Sequence, residues 1–348
     1  MVGCKKWLRN VGLVARDLSV TYVLRGSNER HFSIERVFAD VAGQLAGHRK
    51  IETVDLPCSG VSPDRLLRNL AAAAKIRGDI IHVTGDVHYT LLAFHRRSSR
   101  VVTVHDLNRF EQLSGLRRRA YRLLWITPLR RADVITCVSE FSREQLVRAD
   151  PKLADRCRVI DNPLSEIFVP DPNEVPVPGH IVAIGTAANK NLEATIRACA
   201  AIDGASLTVV GSLTEQQLEL ASNLGVSVRE LPGISDEELA SVYRSAAVVS
   251  FPSTAEGFGL PVIEAQGCGV PVVTSDIAPL NKVANGAALL VDPMDQQALN
   301  DALQRAIDGG ATIDEMVQVG RINAEQRNAA AIAERYEQVY RELNAADQ

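Results

Sequence analysis

Two glutamates, Glu256 and Glu264, flank a glycine-rich turn in the second half of the chain. The turn reads G-F-G-L-P and follows a short apolar run, so we expect a strand, a loop and a helix that begins near Leu260. Proline is well tolerated in the first turn of a helix, and glycine lets the backbone approach a ligand closely. The pattern therefore predicts that the NH groups of Phe258, Gly259 and Leu260 point at an oxygen-rich or anionic group.

The two glutamates are spaced to divide the binding of a hydroxyl-rich ligand. We expect Glu256 in the loop to accept hydrogen bonds from sugar hydroxyls, and Glu264 in the helix to accept them from a ribose diol. Each glutamate has an ordinary alternative: Glu264 complements the helix dipole, which is worth about 0.3–1 kcal/mol, and Glu256 is an exposed loop acid. Neither alternative explains both glutamates together with the turn between them, so the pattern favours a binding site.

A second glycine turn, G-T-A-A-N-K-N-L, follows the apolar run Ile181–Ile184. Gly185 and Thr186 open this turn, which places Lys190 and Asn191 near the start of a predicted helix. The alternative is a surface lysine, although a cation at that end of a helix opposes the helix dipole. No G-x-x-x-x-G-K-S/T sequence occurs and no G-x-G-x-x-G follows the first strand, so the turn is not a P-loop.

Histidine and aspartate side chains follow two apolar runs in the first half of the chain. V-V-T-V-H-D-L places His105 and Asp106 after one predicted strand, and I-I-H-V-T-G-D-V-H places Asp86 and His88 after its neighbour. Ligands bind at the carboxyl ends of such strands. Zinc is not indicated, because no H-E-x-x-H sequence and no cysteine partner occurs here. After a third strand, we expect Ser139 to cap a helix.

The Glu256 to Glu264 segment, followed by the G-x-P-V-V-x-S/T run at residues 269–275, resembles the retaining GT-B glycosyltransferases of family 4, the glycogen-synthase-like group. The resemblance is specific over residues 180–295, looser over 80–165 and only general over 1–60. It implies a metal-independent, retaining enzyme that moves a hexose from a UDP- or GDP-sugar to a glycan or lipid-linked glycan acceptor, in cell-surface polysaccharide assembly. A GT-B nucleotide-sugar epimerase and a catalytically idle sugar-nucleotide-binding subunit are the alternatives.

The resemblance also implies residue roles: Lys190 binds the donor diphosphate, His105 contacts the donor sugar, and both act with Glu256 in catalysis. The donor-binding residues that it implies are Gly185, Thr186, Lys190, Asn191, Phe258, Gly259, Leu260 and Glu264, and those on the acceptor side are Asp86, His88, Asp106, Arg25 and Arg30. No cofactor and no metal is implied. The sequence departs from the family in two places: the arginine usual before the lysine is absent, and the first turn has a single glycine. The arginines of that first turn either meet a phosphate or are solvated.

Short β-branched runs alternate with helical patterns along the chain, which is typical of βα units around parallel sheets. The predicted strands are Val20–Leu24, Ile51–Leu56, Ile80–Thr84, Val101–His105, Val134–Val138, Arg158–Ile160, Ile181–Ile184, Ser206–Val210, Val226–Leu231, Val248–Phe251, Val270–Thr274 and Ala288–Val291. Helical patterns in the first half cover Ser33–Leu45, Asp64–Arg77, Tyr121–Arg131 and Ser142–Arg148, and another covers Ile322–Leu343 at the end. Between the two series of strands, Pro163–Pro178 holds five prolines and indicates a linker.

We therefore predict an α/β protein of the GT-B fold, with two Rossmann-like doubly wound domains that face each other across a cleft. Residues 1–165 form the N-terminal acceptor-binding domain and residues 166–330 the C-terminal nucleotide-sugar-binding domain. Residues 331–348 form a C-terminal crossover helix that packs back on the N-terminal domain.

Charge is divided unevenly over the 348 residues, whose net charge is −4. Residues 1–165 carry 28 Lys and Arg against 17 Asp and Glu, whereas residues 166–348 carry 10 against 25. The segment Leu113 to Arg131 interleaves six arginines with leucines and Trp125. This pattern is typical of a basic amphipathic helix on an anionic membrane surface, and a core-packing helix with a solvated basic face is the alternative. No nucleic-acid module accompanies the charge, so no nucleic-acid partner is expected.

The overall composition is that of a globular protein, with 46% hydrophobic and 23% charged residues. The six cysteines are scattered without a C-x-x-C pair, so neither a zinc cluster nor a disulfide framework is indicated. We find no apolar stretch of the roughly 20 residues that a membrane-spanning helix needs, and no secretory signal at the start. A cytoplasmic protein is expected, peripheral on the inner face of the cytoplasmic membrane if the basic segment binds lipid.

Overall fold

The computed structural model describes residues 18–26, 33–95 and 97–346, and it contains two six-stranded parallel sheets. The first sheet consists of β1 Val20–Leu24, β2 Ile51–Asp55, β3 Ile80–Val83, β4 Ser99–Val104, β5 Val134–Cys137 and β6 Cys157–Val159. Its strand order is β2-β1-β3-β4-β5-β6. The strand order reverses at β1, which pairs with both β2 and β3.

The second sheet consists of β7 His180–Ile184, β8 Ser206–Val210, β9 Val228–Glu230, β10 Val248–Phe251, β11 Val272–Ser275 and β12 Leu289–Val291. Its order is β12-β11-β10-β7-β8-β9, which is that of a doubly wound nucleotide-binding sheet. The order reverses between β7 and β10, and ligands bind at such a switch point. All twelve predicted strands are present with ends shifted by at most two residues, so the predicted α/β fold is confirmed.

Helices cover both faces of the sheets. They are α1 Ser33–Leu45, α2 Pro63–Ala73, α3 Asn108–Gln112, α4 Gly115–Tyr121, α5 Glu140–Ala149, α6 Leu192–Ala201, α7 Glu215–Asn223, α8 Asp236–Arg244, α9 Leu260–Gly267, α10 Leu280–Ala284, α11 Gln296–Asp308, α12 Ala311–Glu325 and α13 Ala329–Ala346. Strands β10 and β11 are buried along their whole length, as expected of strands covered on both faces.

Three predicted helices have bounds that differ by more than two residues in the structure: the one predicted at Asp64–Arg77 is α2, which ends at Ala73, and two others differ more. The helix predicted at Tyr121–Arg131 is wrong: α4 ends at Tyr121, and a π-helical turn and a 3-10 turn follow it. Pro128, in the 3-10 turn, prevents a regular α-helix from continuing to Arg131, because a proline inside an α-helix lacks the NH for the i→i−4 hydrogen bond. The single helix predicted at Ile322–Leu343 is split into α12 and α13, since the Asn328 side chain accepts a hydrogen bond from the Ala331 NH at 2.8 Å and caps a new helix.

The C-terminal helix α13 returns to the N-terminal domain, as predicted. Tyr336 and Tyr340 pack in one buried cluster with Tyr22 and with Phe38 of α1. Arg49, which follows α1, binds both carboxylate oxygens of Glu337 at 2.7 Å, and both residues are buried. The tyrosine cluster and this ion pair join α13 to the N-terminal domain.

The proline-rich segment Pro163–Pro178 crosses between the domains without forming a sheet, as expected of a linker. It is not free of contacts, however. Phe168 is buried against Tyr243 of α8, with ring centroids 5.9 Å apart, and its carbonyl oxygen lies against Gly267 at the end of α9. The linker therefore packs on α8 and α9 of the second domain.

Candidate active site

The loop between β10 and α9 has the conformation that its glycines and proline predict. Gly259 caps α9 with φ 106°, a left-handed conformation that favours glycine, and Pro261 lies in the first turn of the helix. Phe258 is buried and fixes the loop against the core. The N-terminal turn of α9 lines a cavity of about 380 Å³ between the two domains, which we call the interdomain cleft.

Lys190 and Glu256 meet in this cleft. The Lys190 Nζ lies 2.6 Å from Glu256 Oε1 and 4.7 Å from the centroid of the Phe251 ring. Gly185, with φ 84°, is needed here because the Lys190 side chain lies 3.1 Å from the position that a Cβ would occupy. Two regions 66 residues apart in sequence are thus joined by one ion pair at the carboxyl ends of β7 and β10.

Glu264 lies deeper in the cleft and is only 2% exposed. One of its carboxylate oxygens accepts a very short hydrogen bond from Arg36 of α1, and the other accepts from the Tyr243 hydroxyl at 2.8 Å. Arg36 also binds Asp236 of α8 at 2.5 Å. Burial lowers the pKa of Arg36, but the charges of Glu264 and Asp236 outweigh it and raise that pKa above its usual range, so the guanidinium stays charged.

Sequence reasoning missed the two partners of this buried carboxylate, Arg36 and Tyr243, and also Asp236, the second acid that binds Arg36. Arg36 comes from the N-terminal domain, 228 residues before Glu264, and it is one of many arginines in the basic half of the chain. Tyr243 ends a helix with an ordinary amphipathic pattern. The one available signal for Arg36 was its position in the first turn of α1, next to the cleft.

His105 and Asp106 reach the cleft from the N-terminal domain, at the end of β4. His105 Nε2 lies 2.7 Å from the Thr84 carbonyl oxygen, to which it donates when that nitrogen carries the proton. Burial lowers the pKa of His105, which favours the neutral imidazole. The ring is therefore held in place by the neighbouring strand, with its edge exposed to the cleft.

The two domains touch directly at Gly257. Its carbonyl oxygen accepts hydrogen bonds from Ser139 Oγ at 2.8 Å and from Ser142 Oγ at 3.2 Å. Ser139 also caps α5, because its Oγ accepts from the Ser142 NH at 3.1 Å, as predicted. The single hydroxyl proton of Ser142 is shared between the Gly257 carbonyl and the His105 carbonyl, which lies 3.0 Å from Ser142 Oγ, so the serine pair contacts loops of both domains.

The structure brings most of the predicted catalytic and donor-binding residues to the cleft, but not all. Those that line it are His105, Lys190, Glu256, Phe258, Gly259, Leu260 and Glu264, and Asp106, which was predicted on the acceptor side, lines it as well. Gly185 and Thr186 lie beside it rather than in it. The Asn191 side chain turns away and donates to the Pro293 carbonyl at 2.7 Å. Because Asn191 adopts a left-handed conformation (φ 54°) before α6, its role in the structure is to shape this turn.

A second cavity of about 500 Å³, which we call the N-terminal pocket, lies within the first domain. Arg25 and Asp86 from the predicted acceptor side line it, together with Arg109, Arg117 and the apolar face of the Leu113 to Arg131 segment. His88 lines neither cavity: it is buried, its Nδ1 is 3.1 Å from the Trp125 carbonyl, and burial lowers its pKa to about 4. Arg30 lies outside the described residues.

Asp86 lines the N-terminal pocket, and its pKa depends on the charge of Asp106, which lines the interdomain cleft. Although it is accessible from the N-terminal pocket, desolvation by the surrounding protein and the negative charge of Asp106 raise its pKa to about 7. A raised carboxyl pKa means that the folded state binds a proton more tightly than the unfolded state. This group therefore lowers the stability of the fold as the pH rises from near 4 to about 7.

Replacing Asp86 by asparagine is expected to raise the melting temperature at pH 8 and to leave it nearly unchanged near pH 4, where the native carboxyl is protonated. The measurement is a series of thermal unfolding curves of both proteins from pH 4 to pH 8. Asp106→Asn, which removes the neighbouring negative charge, is expected to reduce the same pH dependence. Equal melting-temperature differences at all pH values would contradict the raised pKa.

Two family models match the chain, and each covers one of the two sheets. The model described as "Glycosyltransferase Family 4" matches residues 11–165, and that described as "Glycosyl transferases group 1" matches residues 178–309. The chain belongs to family 4 of the glycosyltransferases. Both models fall on the regions that supply the cleft: His105 and Asp106 lie within the first, and Lys190, Glu256 and Glu264 within the second.

Similar proteins support this family 4 assignment. O-antigen chain mannosyltransferase B of Escherichia coli is 31% identical over 231 residues, which are 59% of this chain and 60% of that protein. The matched region thus spans less than two thirds of that relative's length. Sucrose-phosphate synthase from Thermosynechococcus elongatus has a TM-score of 0.77 at 22% identity, covering 94% of this chain and 100% of that one. Anabaena HepE, solved with UDP and glucose, has a TM-score of 0.75 at 16% identity, covering 93% and 99%. These two likenesses show the shared GT-B fold.

Proposed function

We propose that this protein is a retaining, metal-independent glycosyltransferase that moves a hexose from a UDP- or GDP-sugar to a glycan or lipid-linked glycan acceptor in cell-surface polysaccharide assembly. The observation that carries the proposal is the cleft between the domains, where Lys190, Glu256 and Glu264 surround the N-terminus of α9. Family membership supports transfer of a sugar. The O-antigen mannosyltransferase relative supports polysaccharide assembly, and the HepE complex supports a uridine nucleotide.

The chemistry of the side chains gives each a role towards the donor. Glu264 accepts hydrogen bonds from the ribose diol, and Glu256 and His105 hold the sugar hydroxyls. Lys190 and the NH groups at the start of α9 stabilise the negative charge that grows on the departing diphosphate. The acceptor hydroxyl then attacks from the face that the diphosphate leaves, which retains the configuration of the anomeric carbon. The packed domain contact at Gly257 excludes water, which would otherwise hydrolyse the donor.

The N-terminal pocket is the proposed acceptor site. Its arginines, Arg25, Arg109 and Arg117, suit a phosphate or an acidic sugar, and the apolar side chains of Leu113 and Leu124 suit a lipid or the apolar face of a sugar. Arg25 is already bound to Glu35 through two hydrogen bonds of 2.7 and 3.0 Å, so it is fixed in the pocket wall.

The same segment offers a surface for an anionic membrane. Leu116 and Leu123 are 80% and 65% exposed, and the exposed arginines of α4 lie between them. Trp125 is only 7% exposed and packs in the core, so this end of the segment follows the core-packing alternative. We propose that the two leucines and the arginines dock on anionic lipid. In the part of the chain that the structure describes, no helix is long and apolar enough to cross a membrane.

The experiment that tests the function begins with thermal unfolding in the presence of UDP- and GDP-sugars. A ligand at 100 times its Kd adds about 2.7 kcal/mol of stability, so the true donor is expected to raise the melting temperature by several degrees. Transfer from that donor is then measured with excess chelator, and the anomeric configuration of the product is read by NMR. Full activity in chelator and a retained configuration are expected; loss of activity in chelator, or an inverted product, would contradict the mechanism. Donor incubated alone should not epimerise.

A further inference from the structure

A second cation, Arg36, faces the interdomain cleft from the N-terminal domain. It lies in the first turn of α1, and its side chain is 18% exposed. One guanidinium nitrogen binds Glu264 and another binds Asp236, both in the C-terminal domain, while the guanidinium carbon lies 5.3 Å from the Phe168 ring centroid. Arg36 therefore binds the Glu264 carboxylate, which in the proposed function accepts hydrogen bonds from the ribose.

The charges in the cleft are arranged as two ion pairs. Among the described residues that line it, Arg36 and Lys190 are the permanent cations, and Asp106, Glu256 and Glu264 are the acids. Each cation is bound to one of the two glutamates. A nucleoside diphosphate brings at least two negative charges into this acidic cleft, and carboxylates offer its phosphates no hydrogen-bond donor. Lys190 alone leaves the diphosphate short of cations.

We propose that Arg36 is a donor-binding residue, which exchanges Glu264 for a phosphate oxygen of the donor diphosphate when the nucleotide enters. It thereby supplies the second cation that the turn between β7 and α6 lacks. The inference rests on the proposed function, because it takes the ligand of the cleft to be a nucleoside diphosphate-sugar.

The exchange leaves neither glutamate of the cleft without a hydrogen-bond donor. As Arg36 turns to the diphosphate, the ribose hydroxyls donate to Glu264 in its place, and the Tyr243 hydroxyl continues to donate to the other oxygen of that carboxylate. When Lys190 also turns from Glu256 to the diphosphate, the sugar hydroxyls donate to Glu256 in its place. Arginine suits this task because its planar fork binds carboxylate and phosphate oxygens with the same geometry. Since Arg36 belongs to the first domain, the diphosphate would also hold the two domains together.

The test compares two ligands of the cleft that differ only in the diphosphate. The dissociation constants of a nucleoside diphosphate and of the corresponding nucleoside, UDP with uridine or GDP with guanosine, are measured by calorimetry or NMR titration. In Arg36→Met, whose side chain keeps the packing on Phe168 without the charge, we expect the diphosphate to bind roughly tenfold to a hundredfold more weakly. The nucleoside is expected to bind as well as before or better, since Glu264 is then free to accept the ribose.

Two further variants control for a general effect on the fold. Arg327→Gln breaks another ion pair, with Asp161 at 3.0 Å and side chains 15% and 23% exposed, but Arg327 does not line the cleft. It is expected to leave the affinity for both ligands unchanged. Arg36→Lys keeps a charge without the fork and is expected to recover part of the lost affinity. Melting temperatures of all variants are measured alongside. If Arg36→Met does not fold, the affinities of Arg36→Lys for the nucleoside and the nucleoside diphosphate test the proposal instead.

Three outcomes would overturn the inference. Equal weakening of nucleoside and diphosphate binding means that Arg36 supports only the structure of the cleft. Tighter binding of the diphosphate means that Arg36 is a competitor that the donor must displace. Unchanged affinities for both ligands mean that Arg36 does not reach the phosphates. Failure of the proposed function is seen separately, as absence of sugar transfer by the unmodified protein from every UDP- and GDP-sugar, whereas an unmodified protein that binds neither UDP nor GDP would overturn this inference as well.

Discussion

Replacing Glu256 by glutamine is expected to lower kcat for sugar transfer by about a hundredfold or more while the protein remains folded. A carboxylate that loses its charge holds the sugar hydroxyls less strongly, and preorganised polar groups in a water-poor cleft commonly contribute a factor of about 10²–10³. Glu256 sits in a loop at the cleft, and its hydrogen bond to Lys190 Nζ can be kept by the amide oxygen. The free energy of unfolding should therefore change by less than about 1 kcal/mol.

The binding of UDP or GDP without a sugar separates this effect from general damage. Neither ligand has the hexose hydroxyls that Glu256 holds, and a neutral amide binds Lys190 less strongly than the carboxylate does and so competes less with the diphosphate, so the affinity is expected to stay the same or to increase. The matched control is Glu174→Gln, which removes the charge of an acid bound to Arg244 at 2.9 Å but outside the cleft. Full transfer activity in Glu256→Gln would contradict the mechanism and would favour the catalytically idle subunit.

The fold was predictable from sequence because its signals are local. A strand buried on both faces must be a nearly continuous apolar run, so β10 and β11 are visible as V-V-S-F and V-V-T-S without knowledge of their neighbours. The helices were predicted less well, since an apolar stripe does not show where the hydrogen-bond pattern changes. Regular α-helix in the basic segment ends at Tyr121, before the 3-10 turn that contains Pro128, and the cap at Asn328 splits the last helical pattern in two.

The residues of the candidate site likewise divide into those with a local sequence signal and those without one. Glu256, Gly259 and Glu264 were identified because they lie within nine residues of each other on one loop and one helix. Arg36 was missed because its contact with Glu264 exists only after the two domains have packed together. His88 shows the opposite error: its place after β3 predicted an acceptor-side role, but the chain turns there and buries the ring against the Trp125 carbonyl.

Replacing Gly257 by alanine is the second change with a large expected effect, and it tests the contact between the domains rather than a charged group. A Cβ at Gly257 would overlap the His105 carbonyl oxygen and lie 2.8 Å from Asp106 Cβ. Backbone atoms on the other side cannot rotate away, so the two loops must separate. Transfer requires donor and acceptor, held by different domains, to approach within about 3–3.5 Å, and a displacement of about 1 Å costs roughly a hundredfold in rate. We expect kcat to fall by about that factor.

The pattern of kinetic constants distinguishes a displaced domain from a damaged donor site. Because the donor is bound mainly by the C-terminal domain, the Kd of the nucleoside diphosphate should change much less than kcat in Gly257→Ala. Gly43→Ala on α1 is the matched control: nothing lies within 4 Å of its added Cβ, and alanine in a helix stabilises by about 1 kcal/mol relative to glycine, so activity should be unchanged. Ser139→Ala, which removes a hydrogen bond to Gly257 without a clash, should cause a smaller loss. An unchanged kcat in Gly257→Ala would mean that transfer takes place with the domains further apart than they are in this structure.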